Sequence, residues 1–298
     1  MSAHGITRAD LQAVNLPRRR LVNRLMQALA TLAAAIAVAA LVLIVWSVAK
    51  RGASALNLDL LTRDPAPFSF TPVKQGLENA FVGSLVLVGL ATAMALPVGL
   101  LVAVYLTEYA RPAIRSSVSL VLDVLNGVPA IVIGIFVYGL LVLGHGQSGW
   151  AGAFALACLM LPLVTRSTME VLVLVPSSLR EASLGLGIPR WRTTLSIVLP
   201  QTIGGVVTGT VLAVARIAGE TAPLLFTSSI VGSQTSWSPT HALQSVPVAI
   251  FELSEQADPG SHARAWAAAF VLLLFILFTS LAGRWVATRN RRRLSTSR

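Results

Sequence analysis

Apolar residues in this chain fall into long blocks almost free of charge, set apart by short polar and basic segments. The block from Leu25 to Ala49 is 25 residues without an ionisable side chain. At about 1.5 Å per helical residue it exceeds the roughly 30 Å hydrocarbon thickness of a bilayer, so it predicts a helix that spans and stays. Five further blocks predict spans over about Asn79–Leu106, Ser117–Leu143, Trp150–Val175, Gln201–Ile217 or slightly beyond, and Arg264–Val286. Pro97 lies inside the second span and Gly127-Val128-Pro129 breaks the third. Gly219-Glu220-Thr221-Ala222-Pro223 interrupts the fifth. The expected organisation is a tail over 1–24, a first transmembrane helix over 25–49 and an outside segment over 50–78. A transmembrane domain over 79–286 follows, holding a loop at 176–200, and a basic tail over 287–298 closes the chain.

Composition narrows the class. Hydrophobic residues make up 55% of the 298 and charged residues only 12%, with a mean hydropathy of +0.74. So few charges cannot cover that much apolar surface in water, and the chain reads as an all-α polytopic membrane protein with six transmembrane helices. The net charge of +11 does not point to nucleic acid, because the arginines gather at the ends of apolar blocks and at the termini. Six spans with both termini cytoplasmic put sixteen Lys and Arg inside, five outside, and Arg166 and Arg216 within spans. That asymmetry is the positive-inside bias. Cys158 is the only cysteine, and the four histidines show no ligand spacing, so no metal, cofactor or disulfide framework is expected. The only lysines are Lys50 and Lys74, and there is no G-x4-G-K-[ST] loop. ATP is therefore not bound in that manner. Neither a Ser-His-Asp set nor a paired-carboxylate site is present. The chain is not expected to be an enzyme by itself.

Two arginines within spans need a reason, since each costs roughly 2.5–3.5 kcal/mol to insert. Arg166 is followed by Glu170 and Arg216 by Glu220, a spacing that puts each pair on one helix face. Arg166 lies on the order of 24 Å below Trp150, and Arg216 on the order of 22 Å above Gln201, so neither is at a helix end. One reading is that each pair neutralises itself and pins packing. The other is that the guanidiniums face a shared path and meet an anion, for which their planar fork is suited. Asp123, nearer the inside edge, reads as structural and as a partner for an arginine of a neighbouring loop. Gly127, Pro129, Gly204, Gly205 and Gly209 suit close helix contact or local unwinding. Thr208 and Thr210 offer hydroxyls near the path.

The loop from Glu181 to Pro200, E-A-S-L-G-L-G-I-P-R-W-R-T-T-L-S-I-V-L-P, is too small to be a domain. It suits a short helix, a glycine break and a second half-helix, a knob offered to something in the cytoplasm. Glu181-Ala182-Ser183, Gly187 and Ile197-x-Leu199-Pro200 match E-A-A-x3-G-x9-I-x-L-P, the docking loop of ABC importer permeases. Ser183 for Ala is the one departure. With Ala215–Thr227 (A-R-I-A-G-E-T-A-P-L-L-F-T), Arg166-x-Thr168 and Gly127-Val128-Pro129, the chain resembles the A-type permeases of phosphate (Pst) ABC importers over roughly Asn79–Val286.

The resemblance implies a type I ABC importer permease fold in a bacterial inner membrane. It implies a coupling helix at Glu181, Ala182, Ser183 and Gly187 that docks on an ATPase. It implies that Arg166 and Arg216, with Glu170 and Glu220, meet phosphate in transit. The partners implied are a second, related permease, two copies of an ABC ATPase and an extracytoplasmic phosphate-binding protein. The family reads R-x-T-E after the first arginine; here Met169 takes the acid's place and Glu170 follows. A permease for sulfate, molybdate or an amino acid, and a membrane scaffold or sensor that docks a partner without transport, remain as alternatives.

Overall fold

The computed structural model describes residues 16–65, 76–229 and 234–295. Residues 1–15 of the N-terminal tail, Pro67, Pro72 and Lys74 of the outside segment, residues 230–233 and residues 296–298 lie outside the described residues, as do the side chains after Trp285.

The chain divides after Lys50 into two units. Helix α1 (Leu16–Ala55) makes up the described part of the first and runs on into the second. It is longer than its apolar block, and the apolar side chains from Leu21 to Trp46 are exposed all round. A helix apolar on every face needs lipid or another apolar surface.

The second unit begins with the end of α1 and a short α2 (Leu58–Thr62), capped by Asn57, whose side-chain oxygen accepts from the Leu60 amide at 2.8 Å. Helix α3 (Glu78–Val104) passes through Pro97 and finishes in a π-helical turn, Tyr105–Tyr109. The third apolar block is two helices, α4 (Pro112–Gly127) and α5 (Ala130–Val137, continued by a π-helical turn Tyr138–Val142), set at 97° to one another. Val128 has an extended ψ because the Pro129 ring disfavours the helical region for the residue before it, and Pro129 itself has no amide to continue the ladder.

Helix α6 (Gly149–Val173) is the most enclosed span. Its Leu156, Met160 and Val164 meet Leu87, Ala91 and Ala95 of α3 and Ala213 and Ile217 of α9. Helices α7 (Ser177–Gly185) and α8 (Arg190–Thr193) follow. A π-helical turn, Thr194–Val198, then joins α8 to α9 (Leu199–Ile217). The widened turn bonds the Leu199 amide to the Thr194 carbonyl, just before Pro200, which has no amide to offer. The second half of the loop is thus the start of the fifth span. A methyl on Gly205 would overlap Val171, and one on Gly209 would stand 2.7 Å from Ser167 Cβ, which sets α9 tight against α6. Helices α10 (Ala222–Thr227), α11 (Val246–Glu255) and α12 (Pro259–Ser295) complete the chain.

Among the described residues five unbroken helices are long and apolar enough to cross a membrane, and the α4–α5 pair makes six. The pair counts as one crossing because its two ends lie at opposite ends of α6. Leu122 of α4 packs with Met169 and Leu172 of α6, whereas Val137 and Val142, in α5 and its π turn, pack with Ala151 and Ala155.

Candidate functional site

The two arginines within the spans do not pair as their spacing predicts. Arg166 turns from α6 to α4, where its guanidinium ion-pairs with Asp123 and donates to the Ser119 carbonyl at 3.0 Å. Glu170, four residues on, is exposed and has no hydrogen-bond or ion-pair partner among the described residues. The i, i+4 geometry exists, but a carboxylate on the adjacent helix lies within reach and wins. Asp123 does pair with an arginine, though with one in a span rather than one in a loop.

Arg216 and Glu220 also fail to pair, for a different reason. Helix α9 ends at Ile217, and Glu220 lies in the turn beyond, its amide bonded to the Ile217 carbonyl at 3.1 Å. The helical register that would align them stops too early. Both nonetheless line one small cavity of about 50 Å³, together with Asn126, Val128, Leu159 and Leu163. Arg216 is exposed, and its guanidinium makes no hydrogen bond or ion pair among the described residues.

The break between α4 and α5 supplies one wall of this cavity, and the break after α9 supplies another. Gly134 holds the two breaks together, since a methyl there would sit 2.7 Å from Pro223 Cα. Non-helical backbone at this depth is tolerated in a bilayer only where it faces protein or a cavity. Gly205 and Gly209 serve close helix packing, as described. Thr208 and Thr210 are bonded to backbone carbonyls, Thr208 to Gly204 at 2.7 Å and Thr210 to Val206 at 2.9 Å.

The 176–200 loop is built on α7. Gly187 has φ +77, a conformation a side chain disfavours, and nothing lies within 4 Å of where a Cβ would be. It ends α7 in a Schellman motif: the Ile188 amide donates to the Ser183 carbonyl at 3.1 Å and the Gly187 amide to the Leu184 carbonyl at 2.9 Å. Glu181 and Ala182 are exposed, but Ser183 is buried, its hydroxyl 2.7 Å from that of Thr193. Ser183 therefore ties α7 to α8 and is not offered to a partner. Leu186, 80% exposed, and Trp191, 60%, add apolar side chains to an outward surface that also carries Glu181, Arg190 and Arg192.

Sequence reading passed over what fixes this loop. Arg180 Nε and Nη2 grip the Glu108 carboxylate at 2.8–3.2 Å, and Nη2 also donates to the Leu172 carbonyl at 2.9 Å, at the end of α6. Glu108 belongs to the π turn after α3, between the second and third predicted spans. An arginine just after a span that ends in open carbonyls, with one acid in the preceding inside turn, was the available signal. Tyr109 adds a contact, its hydroxyl 3.3 Å from that of Thr194.

Comparison with known proteins agrees with this architecture. Residues 95–292 match the family described as binding-protein-dependent transport system inner membrane component. The chain is 39% identical over 270 residues to the phosphate transport system permease protein PstA of Haemophilus influenzae, covering 89% of this chain and 94% of that one. It is 38% identical over 287 residues to PstA 1 of Mycobacterium tuberculosis, covering 92% and 91%. Among solved structures it is similar to a chain of a bacterial alginate ABC transporter in complex with an alginate-bound periplasmic protein. There the TM-score is 0.61 at 14% identity, covering 92% of this chain and 98% of that one. It is also similar to a chain of the inward-facing MetNI methionine ABC transporter, with a TM-score of 0.56 at 16% identity over 72% and 93%. At such identities these structures speak for the fold alone.

Proposed function

The chain belongs to the binding-protein-dependent transport system inner membrane components, and from that premise we propose that it is the permease subunit of an ATP-driven inorganic phosphate importer. It is a multi-pass protein of the bacterial inner membrane, with both termini in the cytoplasm. Kinship with the PstA proteins over nearly the whole chain supports phosphate as the solute.

The observation that carries the site is Arg216, a cation without a partner among the described residues, beside a small cavity where two spans break. A guanidinium there offers bidentate hydrogen bonds to a passing phosphate and stays charged at physiological pH. Glu220 on the same wall keeps the affinity low enough for release. Arg166 is the second cation, and in this conformation Asp123 occupies it. Glu170 has no such place.

One chain of six spans does not easily enclose an alternating-access path. A second, related permease completes it, with two ABC ATPases inside and a phosphate-binding protein outside. ATP hydrolysis belongs to those ATPases. The α7 knob, with Glu181, Ala182 and the apolar Leu186 and Trp191 outward, sits on an ATPase and carries its closure to α6 and α9. Radiolabelled phosphate uptake by cells lacking this chain, restored or not by its return, tests the reading. Uptake unaffected by its loss sinks the solute assignment, and competition with sulfate or molybdate separates a permease for another anion.

A further inference from the structure

A second polar cavity lies at the base of the docking loop, away from Arg216. It has a volume of about 380 Å³, within the range of small-ligand sites, and is lined by Thr107, Glu108, Arg115, Arg180, Arg190 and Thr194 among others. Its charges do not cancel. Glu108 is already bound by Arg180, so that pair is internally neutral. Arg115, from α4, and Arg190, which opens α8, are left over, and neither guanidinium makes a hydrogen bond or ion pair among the described residues.

We propose that this cavity is a binding site for a phosphate-class anion, a tetrahedral oxyanion either free or carried as the headgroup of an anionic lipid. Two guanidiniums converging on one cavity from different elements suit such a group, since each can present two parallel donors to a pair of its oxygens. Arg180, held by Glu108 and by the end of α6, gives the cavity a fixed, internally neutral floor beneath these two cations. An anion between Arg115 and Arg190 joins the third span to the first turn of the fifth. It would therefore stiffen the seat of α7 and act on the coupling stroke, not on the path past Arg216.

The test uses the full chain, purified into nanodiscs of phosphatidylcholine, and titrates either inorganic phosphate or added phosphatidylglycerol. The double variant Arg115→Gln/Arg190→Gln should bind the effective probe about tenfold more weakly than the unsubstituted chain, or worse. Retention of phosphate alone marks a free anion as the occupant; retention of phosphatidylglycerol alone marks a headgroup. Because the double variant can lose stability, the unsubstituted chain is also read by hydrogen exchange. The effective probe should slow exchange in residues 105–115 and 177–194. If neither probe is retained, if the variant retains both equally, or if exchange in those segments does not change, the site does not exist.

Discussion

Arg166 of the fourth span is ion-paired with Asp123 of the third, across two helices and not along one. The carboxylate is 59% exposed and the guanidinium 30%, so the pair stands at the edge of the chain where another surface, or an anion, can compete for it. In the proposed path, Asp123 holds the place on Arg166 that a phosphate would take.

Asp123→Asn should therefore leave assembly intact while lowering the KM for phosphate uptake and slowing turnover, because the anion on Arg166 loses its internal competitor. Glu170→Gln should change both constants less. Uptake kinetics in the two variants decide it, and equal effects would return Glu170 to the role that its spacing suggests.

Arg216→Gln removes the unpaired cation of the small cavity. A charge-assisted hydrogen bond is worth about 1.5–3 kcal/mol, so uptake should fall about 10- to 100-fold with the complex still assembled. Normal transport in this variant would end the proposed role of the arginine.

Gly187→Ala tests the end of α7. Nothing crowds the position, so the cost is that of the left-handed backbone alone, about 1 kcal/mol. The loop should fray, and ATP hydrolysis in the reconstituted importer should respond less to the liganded binding protein. Thermal unfolding should barely move.

Arg180→Ala leaves Glu108, whose side chain is 9% exposed, without its partner. Breaking such a pair should cost about 3 kcal/mol and free the base of the docking loop. Hydrolysis without phosphate movement is the expected phenotype in vesicles. Glu108→Gln, which keeps the shape and an acceptor, should be milder.

Asp258 begins α12, accepting from the Ser261 amide at 2.9 Å. Hydrogen bonds from the Ser261 and Gly260 amides, and then from the Ser261 hydroxyl, hold its carboxyl below the usual range. A carboxyl lowered in the fold stabilises it fully above the unfolded value near 3.9, and the gain is lost as pH falls through the lower folded value. The protection factors of the amides at residues 260–262, once the intrinsic pH dependence of exchange is divided out, should accordingly be flat from neutral pH down to about 4 and fall only in stronger acid. In Asp258→Ala they should be low throughout.

The length of the apolar blocks is enough to determine six crossings, because the hydrocarbon thickness acts on each block separately. Gly127-Val128-Pro129, Gly187 and Pro200 likewise announce their breaks from local rules of backbone geometry. Partnership is another matter. Arg166 chose Asp123 over Glu170, Arg180 found Glu108 72 residues away, and Ser183 turned inward to Thr193. Arg216 was left alone because α9 ended one turn before Glu220 came into line. Spacing along a chain says which groups share a helix face. Which of them lies nearest a charge is decided by the packing of helices against one another, and only the tertiary structure contains that distance.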